Sequence, residues 1–251
     1  MNYPEHLSLP LPKELLLDLV LVQGGPFMMG DDNSQYAEEK PAHTVELSSF
    51  YIGKYPITQA QWEAVMKKNP ANFKGENRPV ENISWEDCQK FAAKMNALPN
   101  LKKALEAESI KGTFRLPREA EWEYAARGGI YSQGYTYAGS DKLKQVGWYE
   151  DNSGNQTQEV GKLLANELGL YDMSGNVWEW CEDWFDENYY RECLKKGTVN
   201  NPVGPPQGVI RVLRGGCYFV VALRCRAVFR YGYLPGYRSV IFGCRLVLAL
   251  Q

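Results

Sequence analysis

The chain has few histidines, no long apolar run and no strongly charged segment, and these absences exclude several classes of function. His6 and His43 are the only histidines, and the cysteines form no Cys-x-x-Cys pair, so no zinc-type motif is present. No stretch approaches the roughly 18 apolar residues of a membrane helix, so we expect no membrane insertion. Residues 1–22 show neither a signal-peptide pattern nor a lipid-anchor cysteine.

The formal net charge is only -2, and lysine and arginine are scattered along the chain. A protein that binds nucleic acid usually carries a basic run or patch that follows the phosphate backbone. We therefore expect no nucleic-acid partner.

The cysteines are even in number, which leaves two interpretations open. A disulfide framework is one, but a chain of 251 residues does not need one for stability. Packed, free thiols are the favoured alternative, because buried cysteine commonly has that role. The six are Cys88, Cys181, Cys193, Cys217, Cys225 and Cys244.

The chain shows no linker and no internal repeat, so we predict an N-terminal lead-in segment (1–22) followed by one domain (23–251). The lead-in should end in a short strand, and alternation over 44–52 predicts a half-buried strand. Capping boxes at Thr58 and Ser84 predict two helices, and a third should start at Pro117. Residues 130–210 lack periodicity and are predicted to be loop.

The C-terminal part combines regularly placed Arg, Gly and Pro residues with an irregular aromatic and aliphatic filling. Tyrosine and phenylalanine interleaved with arginine and glycine are typical of a binding surface, because aromatics give large contact area at low entropic cost. Two buried strands would also be rich in such residues, but a core strand runs apolar for only four to eight residues. We favour a displayed surface, while a core position would suit Cys225, Val228 and Phe242.

Motifs along most of the chain resemble the formylglycine-generating-enzyme-type, or sulfatase-modifying-factor, family. They are FMMG at 27–30, YIGKYPIT at 51–58, PVENISW at 79–85, FRLPREAEWEYAARGG at 114–129, GLYDMSGNVWEW at 169–180, and RGG at 214–216 through GCRL at 243–246. The resemblance implies an α+β, C-type-lectin-like fold, loop-rich, with two main helices and short antiparallel sheets. It implies much less about function, because one fold hosts many functions.

The enzymes of this family imply one possible activity, copper-dependent oxidation by a Cys-x4-Cys pair shortly after the Arg-Gly-Gly motif. Cu(I) at such a site needs two thiolates close together. Here Cys217 and Cys225 are eight apart, and Val220 stands about where the first family cysteine would fall. We therefore expect no enzymatic activity and no required cofactor. An oxidase of this type, or a structural or signalling scaffold, stays as an alternative.

The residues between the regularly placed Arg, Gly and Pro positions resemble those of a second group with this fold, the bacterial and phage variable proteins of diversity-generating retroelements. In that group asparagine AAY codons between frame residues are rewritten by adenine-directed mutagenesis, which cannot produce Lys, Glu, Gln, Met or Trp. Residues 217–243 contain none of these five types. Cys217, Gly236 and Phe242 each differ from the usual frame by one adenine change.

This resemblance implies a variable region at about 214–245 that binds a variable ligand, expected to be a protein, on a bacterial cell surface. The residues expected to form a solvent-facing binding patch are Tyr218, Phe219, Val220, Val221, Leu223, Arg224, Phe229, Tyr231, Gly232, Tyr233, Leu234, Tyr237, Ser239, Val240 and Ile241. The frame residues expected to hold the scaffold are Arg214, Gly215, Gly216, Arg226, Arg230, Pro235, Arg238, Gly243 and Arg245.

The family resemblance also implies a structural calcium site in the 172–179 motif. Its ligands would be the carboxylates of Asp172 and Glu179 with the backbone carbonyls of Gly175 and Val177. Calcium prefers such hard oxygen ligands. The alternative is that Trp178 and Trp180 anchor a core loop while the two acids cap turns.

Overall fold

Short strands and helices alternate along residues 3–251, the part of the chain that the computed structural model describes. The strands in this part are β1 (His6–Pro10), β2 (Leu16–Val22), β3 (Gly25–Met29), β4 (His43–Leu47), β5 (Phe50–Gly53), β6 (Gly112–Arg115), β7 (Trp178–Trp184), β8 (Val199–Asn200), β9 (Arg211–Arg214), β10 (Tyr231–Tyr233), β11 (Phe242–Gly243) and β12 (Val247–Leu250). The α-helices are α1 (Gln59–Met66), α2 (Trp85–Ala97), α3 (Pro99–Ala107), α4 (Glu119–Ala126), α5 (Leu143–Val146) and α6 (Tyr189–Lys196).

The largest sheet has five antiparallel strands in the order β1-β2-β5-β12-β6. Residues 6–22 supply two of these strands, and Leu9, Leu17 and Val22 are buried in the core. This corrects the predicted lead-in segment, because the apolar side chains of 6–22 are part of the domain itself. Residues 1 and 2 lie outside the described range.

Two smaller sheets complete the fold. One has the order β10-β9-β7-β11, with β11 parallel to β7 and the other pairs antiparallel. The other joins β3, β4 and β8. The strand predicted over 44–52 is two strands, because the chain leaves β4 at Ser48 and enters a different sheet at Phe50.

Side-chain caps start α1 and α2 as the sequence predicts. Thr58 and Ser84 each accept a hydrogen bond from the backbone three residues later, and both capping boxes are complete. The third predicted helix, α4, begins at Glu119 instead of Pro117, with Arg118 as its N-cap. Helix α3 at residues 99–107 was not predicted, although Pro99 lies in its first turn, where proline is common in helices.

Large aromatic side chains fill the core between the sheets and helices. Trp62, Trp122, Trp178 and Trp180 are almost completely buried. All six cysteines are buried and free, as the sequence analysis favoured. Within residues 3–251 no helix has the length and apolarity needed to cross a bilayer.

Candidate binding surface

The variable region leaves the core at the end of β9 through a tight glycine turn. Gly215 and Gly216 both have positive φ, 94° and 78°. A Cβ atom on Gly216 would lie 2.6 Å from the sulfur of Cys225, so this position also lacks room for a side chain. The chain then forms a 3₁₀ turn at Ala222–Cys225. It joins one edge of the four-stranded sheet as β10 and the opposite edge of the same sheet as β11.

Three frame arginines attach the outer part of the variable region to distant elements. Arg226 donates to both carboxylate oxygens of Glu39, with N–O distances of 3.0 and 2.8 Å. Arg230 binds Glu119 in the same bidentate way, at 2.6 and 2.8 Å.

Arg238 is more exposed, but it still donates to both oxygens of Asp87, at 2.6 and 3.0 Å. These hydrogen bonds lower the pKa of Asp87, although burial acts to raise it. Two-pronged pairs of this kind fix geometry as well as adding energy.

The other two frame arginines are buried where the variable region meets the core. Arg214 donates to Glu119 and Glu123 and to two backbone carbonyls. Burial alone would lower its pKa, but Glu123 and other neighbours raise it, so the guanidinium stays charged. Arg245 donates to both oxygens of Glu179 and to two backbone carbonyls. The expected scaffold role of these arginines therefore has a direct geometric basis.

Between these anchors, six side chains of the predicted patch face solvent, and we call them the binding face. Phe219 is 62% exposed, Leu234 51% and Tyr237 48%. The full set is Phe219, Val221, Leu223, Arg224, Leu234 and Tyr237. Five of the six are apolar or aromatic, and exposed side chains of this kind are candidates for contact with a partner.

A half-buried layer supports the binding face from below. The rings of Tyr231 and Trp178 lie 5.1 Å apart, and those of Tyr233 and Tyr237 lie 4.6 Å apart. Tyr233 also packs on Phe242, at 5.5 Å. The remaining half-buried members of the predicted patch are Val220, Gly232, Ser239, Val240 and Ile241. These positions are partly accessible and shape the floor of the surface.

Solvent exposure was wrongly predicted for Tyr218 and Phe229. Tyr218 is 4% exposed because it packs edge-on against Phe73, with ring centroids 5.4 Å apart. Phe229 is 6% exposed and lies between Tyr36 and Trp178. Aromatic composition could not separate these two from their exposed neighbours, because the distinction depends on partners distant in sequence. Cys225, Val228 and Phe242 are buried.

The acidic partners of the frame arginines were missed by sequence reasoning. For Arg226, Arg238 and Arg230 they are Glu39, Asp87 and Glu119, which lie in three separate parts of the chain, and Glu123 is a further partner of Arg214. One signal was present: the variable region has six arginines and no acidic residue, so buried arginines had to find carboxylates elsewhere.

The proposed calcium ligands are already bound by donors from the protein. Both oxygens of Glu179 accept hydrogen bonds from Arg245, and Oε2 also accepts one from the indole of Trp122. Asp172 accepts from the Gly161 backbone and from Asn176. Burial is the main cause that raises the Asp172 pKa, to about 6, and Glu179 also raises it. A calcium ion on Glu179 would face the guanidinium of Arg245, so these residues do not fit the ion as arranged.

The thiols of the variable region are poorly suited to soft-metal binding. Burial raises the pKa of Cys217 to about 12, and it also raises the pKa of Cys225. A thiol must lose its proton to act as a metal ligand or nucleophile. Within residues 3–251 no group of three or more His, Cys, Asp or Glu side chains is placed to hold a metal ion.

Comparison with known proteins connects this geometry to a family. The family model of the sulfatase-modifying factor enzyme 1-like domain matches residues 6–250. The chaperone protein LppX of Paenibacillus barcinonensis is 40% identical, over 78% of this chain and 89% of that protein. The formylglycine-generating enzyme of Streptomyces coelicolor is 30% identical, over 79% of this chain and 78% of the enzyme.

Two further comparisons bear on the fold and on domain context. The serine/threonine-protein kinase pkn1 of Chlamydia caviae is 31% identical over 93% of this chain, which spans only 38% of the kinase's length. Among solved structures, Treponema denticola variable protein 1 superposes with a TM-score of 0.82 and 30% identity, covering 98% of this chain and 99% of that protein. The predicted α+β, C-type-lectin-like fold of the formylglycine-generating-enzyme type is confirmed.

Proposed function

The chain belongs to the sulfatase-modifying factor enzyme 1-like family, and from this premise we propose that it is a non-catalytic ligand-binding protein diversified by a retroelement. Its ligands are variable, are proteins, and bind at the binding face. Nucleic acid is not among the proposed ligands, because the net charge is -2 and lysine and arginine are scattered along the sequence.

One observation carries this proposal: fixed and exchangeable positions occupy different places in the variable region. The frame arginines 226, 230 and 238 are held by carboxylates outside the region. The side chains at 219 and 221, before these arginines in sequence, and at 234 and 237, between Arg230 and Arg238, project into solvent. A rigid framework lowers the ordering cost of binding, while exposed aromatic and aliphatic groups supply contact area. The likeness to a variable protein supports the same interpretation.

The proposed lack of catalysis rests on the thiols. Among the relatives are formylglycine-generating enzymes, for which family resemblance implies a copper-binding cysteine pair. In this chain Val220 stands about where the first of those cysteines would fall, and the thiols of Cys217 and Cys225 are buried with raised pKa values. Neither thiol is available as a thiolate near neutral pH.

The location that suits this function is a bacterial cell surface. The chain has bacterial relatives, including LppX of Paenibacillus barcinonensis. A diversified binder is useful where foreign targets are met, so display outside the cell follows from the proposed role.

The DNA around the gene tests the diversification directly. We expect a nearby reverse-transcriptase gene and a second, invariant repeat with AAY codons at the exchangeable positions. A locus without either element would refute diversification by a retroelement.

A designed library tests the binding role. The binding-face positions 219, 221, 223, 224, 234 and 237 are randomised with NNY codons, and the library is selected against lysozyme as a defined target protein. We expect folded binders to emerge. A control library randomises exposed residues of α6 and should give none. Failure of the first library, or equal success of both, would count against the binding face.

The catalytic alternative has its own test. A peptide with a Cys-x-Pro-x-Arg site is incubated with the protein and copper, and its mass is measured. We expect no change, and conversion of the cysteine to formylglycine would reinstate the enzyme.

A further inference from the structure

Arg224 differs from every other arginine of the variable region because it has no acidic partner. Within the described residues it takes part in no ion pair. The other five are Arg214, Arg226, Arg230, Arg238 and Arg245, and each binds a carboxylate. Arg224 is exposed to solvent, so it is the one arginine of the region whose charge the fold leaves uncompensated.

The backbone at Arg224 is held in place even though its side chain is exposed. Arg224 lies in the 3₁₀ turn at Ala222–Cys225, and its amide donates to the carbonyl of Val221 at 3.0 Å. Its carbonyl packs 3.0 Å from the position that a Cβ of Gly216 would occupy. The neighbouring Cys225 is completely buried. The guanidinium therefore projects from a fixed base.

The surroundings of Arg224 are apolar. Leu223 lies in the same turn and is 39% exposed, and Val221 lies just before the turn and is 45% exposed. Phe219 precedes both in sequence. Glu150 lies next to this segment, and its amide donates to the carbonyl of Val220 at 3.2 Å. Glu150 forms no ion pair with Arg224 in the described structure. Because Arg226 is paired with Glu39, Arg224 is the unpaired cation of this turn within the described residues.

We infer that the partner presents a carboxylate, from Asp or Glu, inside an apolar patch that covers the binding face. This inference rests on the proposed function and specifies the chemistry of the ligand. When an apolar partner covers Phe219, Val221 and Leu223, it removes water from the guanidinium. An unpaired charge in such an interface is costly, whereas a carboxylate partner satisfies it with short, two-pronged hydrogen bonds. Guanidinium is weakly hydrated among cations, which makes this desolvation easier than for lysine.

The experiment uses random linear peptides displayed on yeast, selected on the whole protein. Peptides that also bind a variant with Phe219→Ser, Val221→Ser, Leu234→Ser and Tyr237→Ser are removed, so the survivors require the binding face. We expect the survivors to be richer in Asp and Glu than the unselected library. Arg224→Glu should weaken their binding about 10-fold or more, since close charge pairs in interfaces couple by at least that factor.

Three controls make the result specific. Arg224→Lys keeps the charge and should lose less affinity than Arg224→Glu. Arg191→Glu makes the same change on exposed α6 and should leave binding unchanged. Replacing the critical acid of a peptide by Arg should restore binding to the Arg224→Glu variant and weaken binding to the native protein.

The outcomes separate this inference from the proposed function. Peptides that require the binding face but lack acidic residues and ignore Arg224→Glu would overturn the inference and leave the proposed function intact. If no peptide requires the binding face, both fail. The melting temperature of Arg224→Glu is measured alongside, and because the side chain is exposed we expect it to match that of the native protein.

Discussion

At the scale of single residues, Asp183 is a fully buried carboxylate whose negative charge the fold does not neutralise. Burial and the nearby Glu119 raise its pKa from 3.8 to about 8, while a hydrogen bond from the Glu119 backbone amide opposes the shift. The folded protein therefore keeps this proton up to higher pH than the unfolded chain does. Stability linked to Asp183 is present in full below the unfolded pKa and is lost as pH rises through the folded one.

We predict that Asp183→Asn reduces the pH dependence of stability. The contribution of Asp183 to the free energy of unfolding should decline as pH rises from about 4 to about 8, because the folded state then holds this proton and the unfolded state does not. Asn cannot ionise, so the variant should show a shallower decline, measured by urea unfolding across this range. Asp172 adds a decline of the same sign up to about pH 6 in both proteins. The exposed control Glu187→Gln should leave the slope unchanged, and an unchanged slope in Asp183→Asn would contradict the assignment.

A second prediction at this scale concerns calcium. Because Arg245 and Trp122 already satisfy Glu179, we expect the melting temperature to be the same with EDTA and with added calcium. Thermal unfolding followed by fluorescence measures this. If EDTA lowers the melting temperature and added calcium restores it, an ion is bound, and the side chain of Arg245 must move to admit that ion.

At the scale of elements, a network of buried ion pairs joins the variable region to α4. Arg230 and Arg214 both reach Glu119 at the start of this helix, and Glu123 one turn later pairs with Arg214. Removing Arg230 leaves the buried Glu119 with only its 3.3 Å contact to Arg214, and breaking a buried ion pair typically costs about 3–5 kcal/mol. The attachment of the variable region therefore depends on a few residues.

We predict that Arg230→Ala lowers the free energy of unfolding by about 3–5 kcal/mol, because Glu119 loses its bidentate partner. The matched control is Arg224→Ala in the same region, where the exposed side chain should change stability by no more than about 0.5 kcal/mol. Chemical denaturation of both variants gives the comparison. Similar losses in the two variants would show that position 230 has no special role.

Sequence alone predicted the elements whose signals are local. The capping boxes at Thr58 and Ser84 gave the starts of α1 and α2, because a cap is a contact between residues three apart. The burial of Tyr218 and Phe229 was beyond reach, since it depends on Phe73 and Tyr36. The same holds for Arg226 and Glu39, which are 187 positions apart. Composition indicates an exposed surface, but only the packed chain decides which side chains compose it.

At the scale of the whole molecule, the fold separates the positions that carry stability from those that carry contact area. The buried clusters include residues of β9 and β12 at the two ends of the variable region and Phe229 and Phe242 within it, but they exclude Phe219, Leu234 and Tyr237. Changes at the binding face should therefore be nearly independent of folding.

We predict that replacing Phe219, Val221, Leu234 and Tyr237 together by Ser lowers the free energy of unfolding by no more than about 2 kcal/mol in total, about 0.5 kcal/mol or less for each site. In contrast, Phe229→Ser alone should cost about 3–5 kcal/mol, as for large-to-small changes in a core. Thermal and urea unfolding of the two variants measure the difference. A larger loss in the fourfold variant than in Phe229→Ser would refute the separation.

The position of β12 has a consequence for the order of events during synthesis. This strand lies between β5 and β6 in the five-stranded sheet, so neither neighbour is fully paired until residues 247–250 have left the ribosome. The variable region precedes β12 in sequence and is translated before that moment. The largest sheet therefore closes only after the whole variable region has been made.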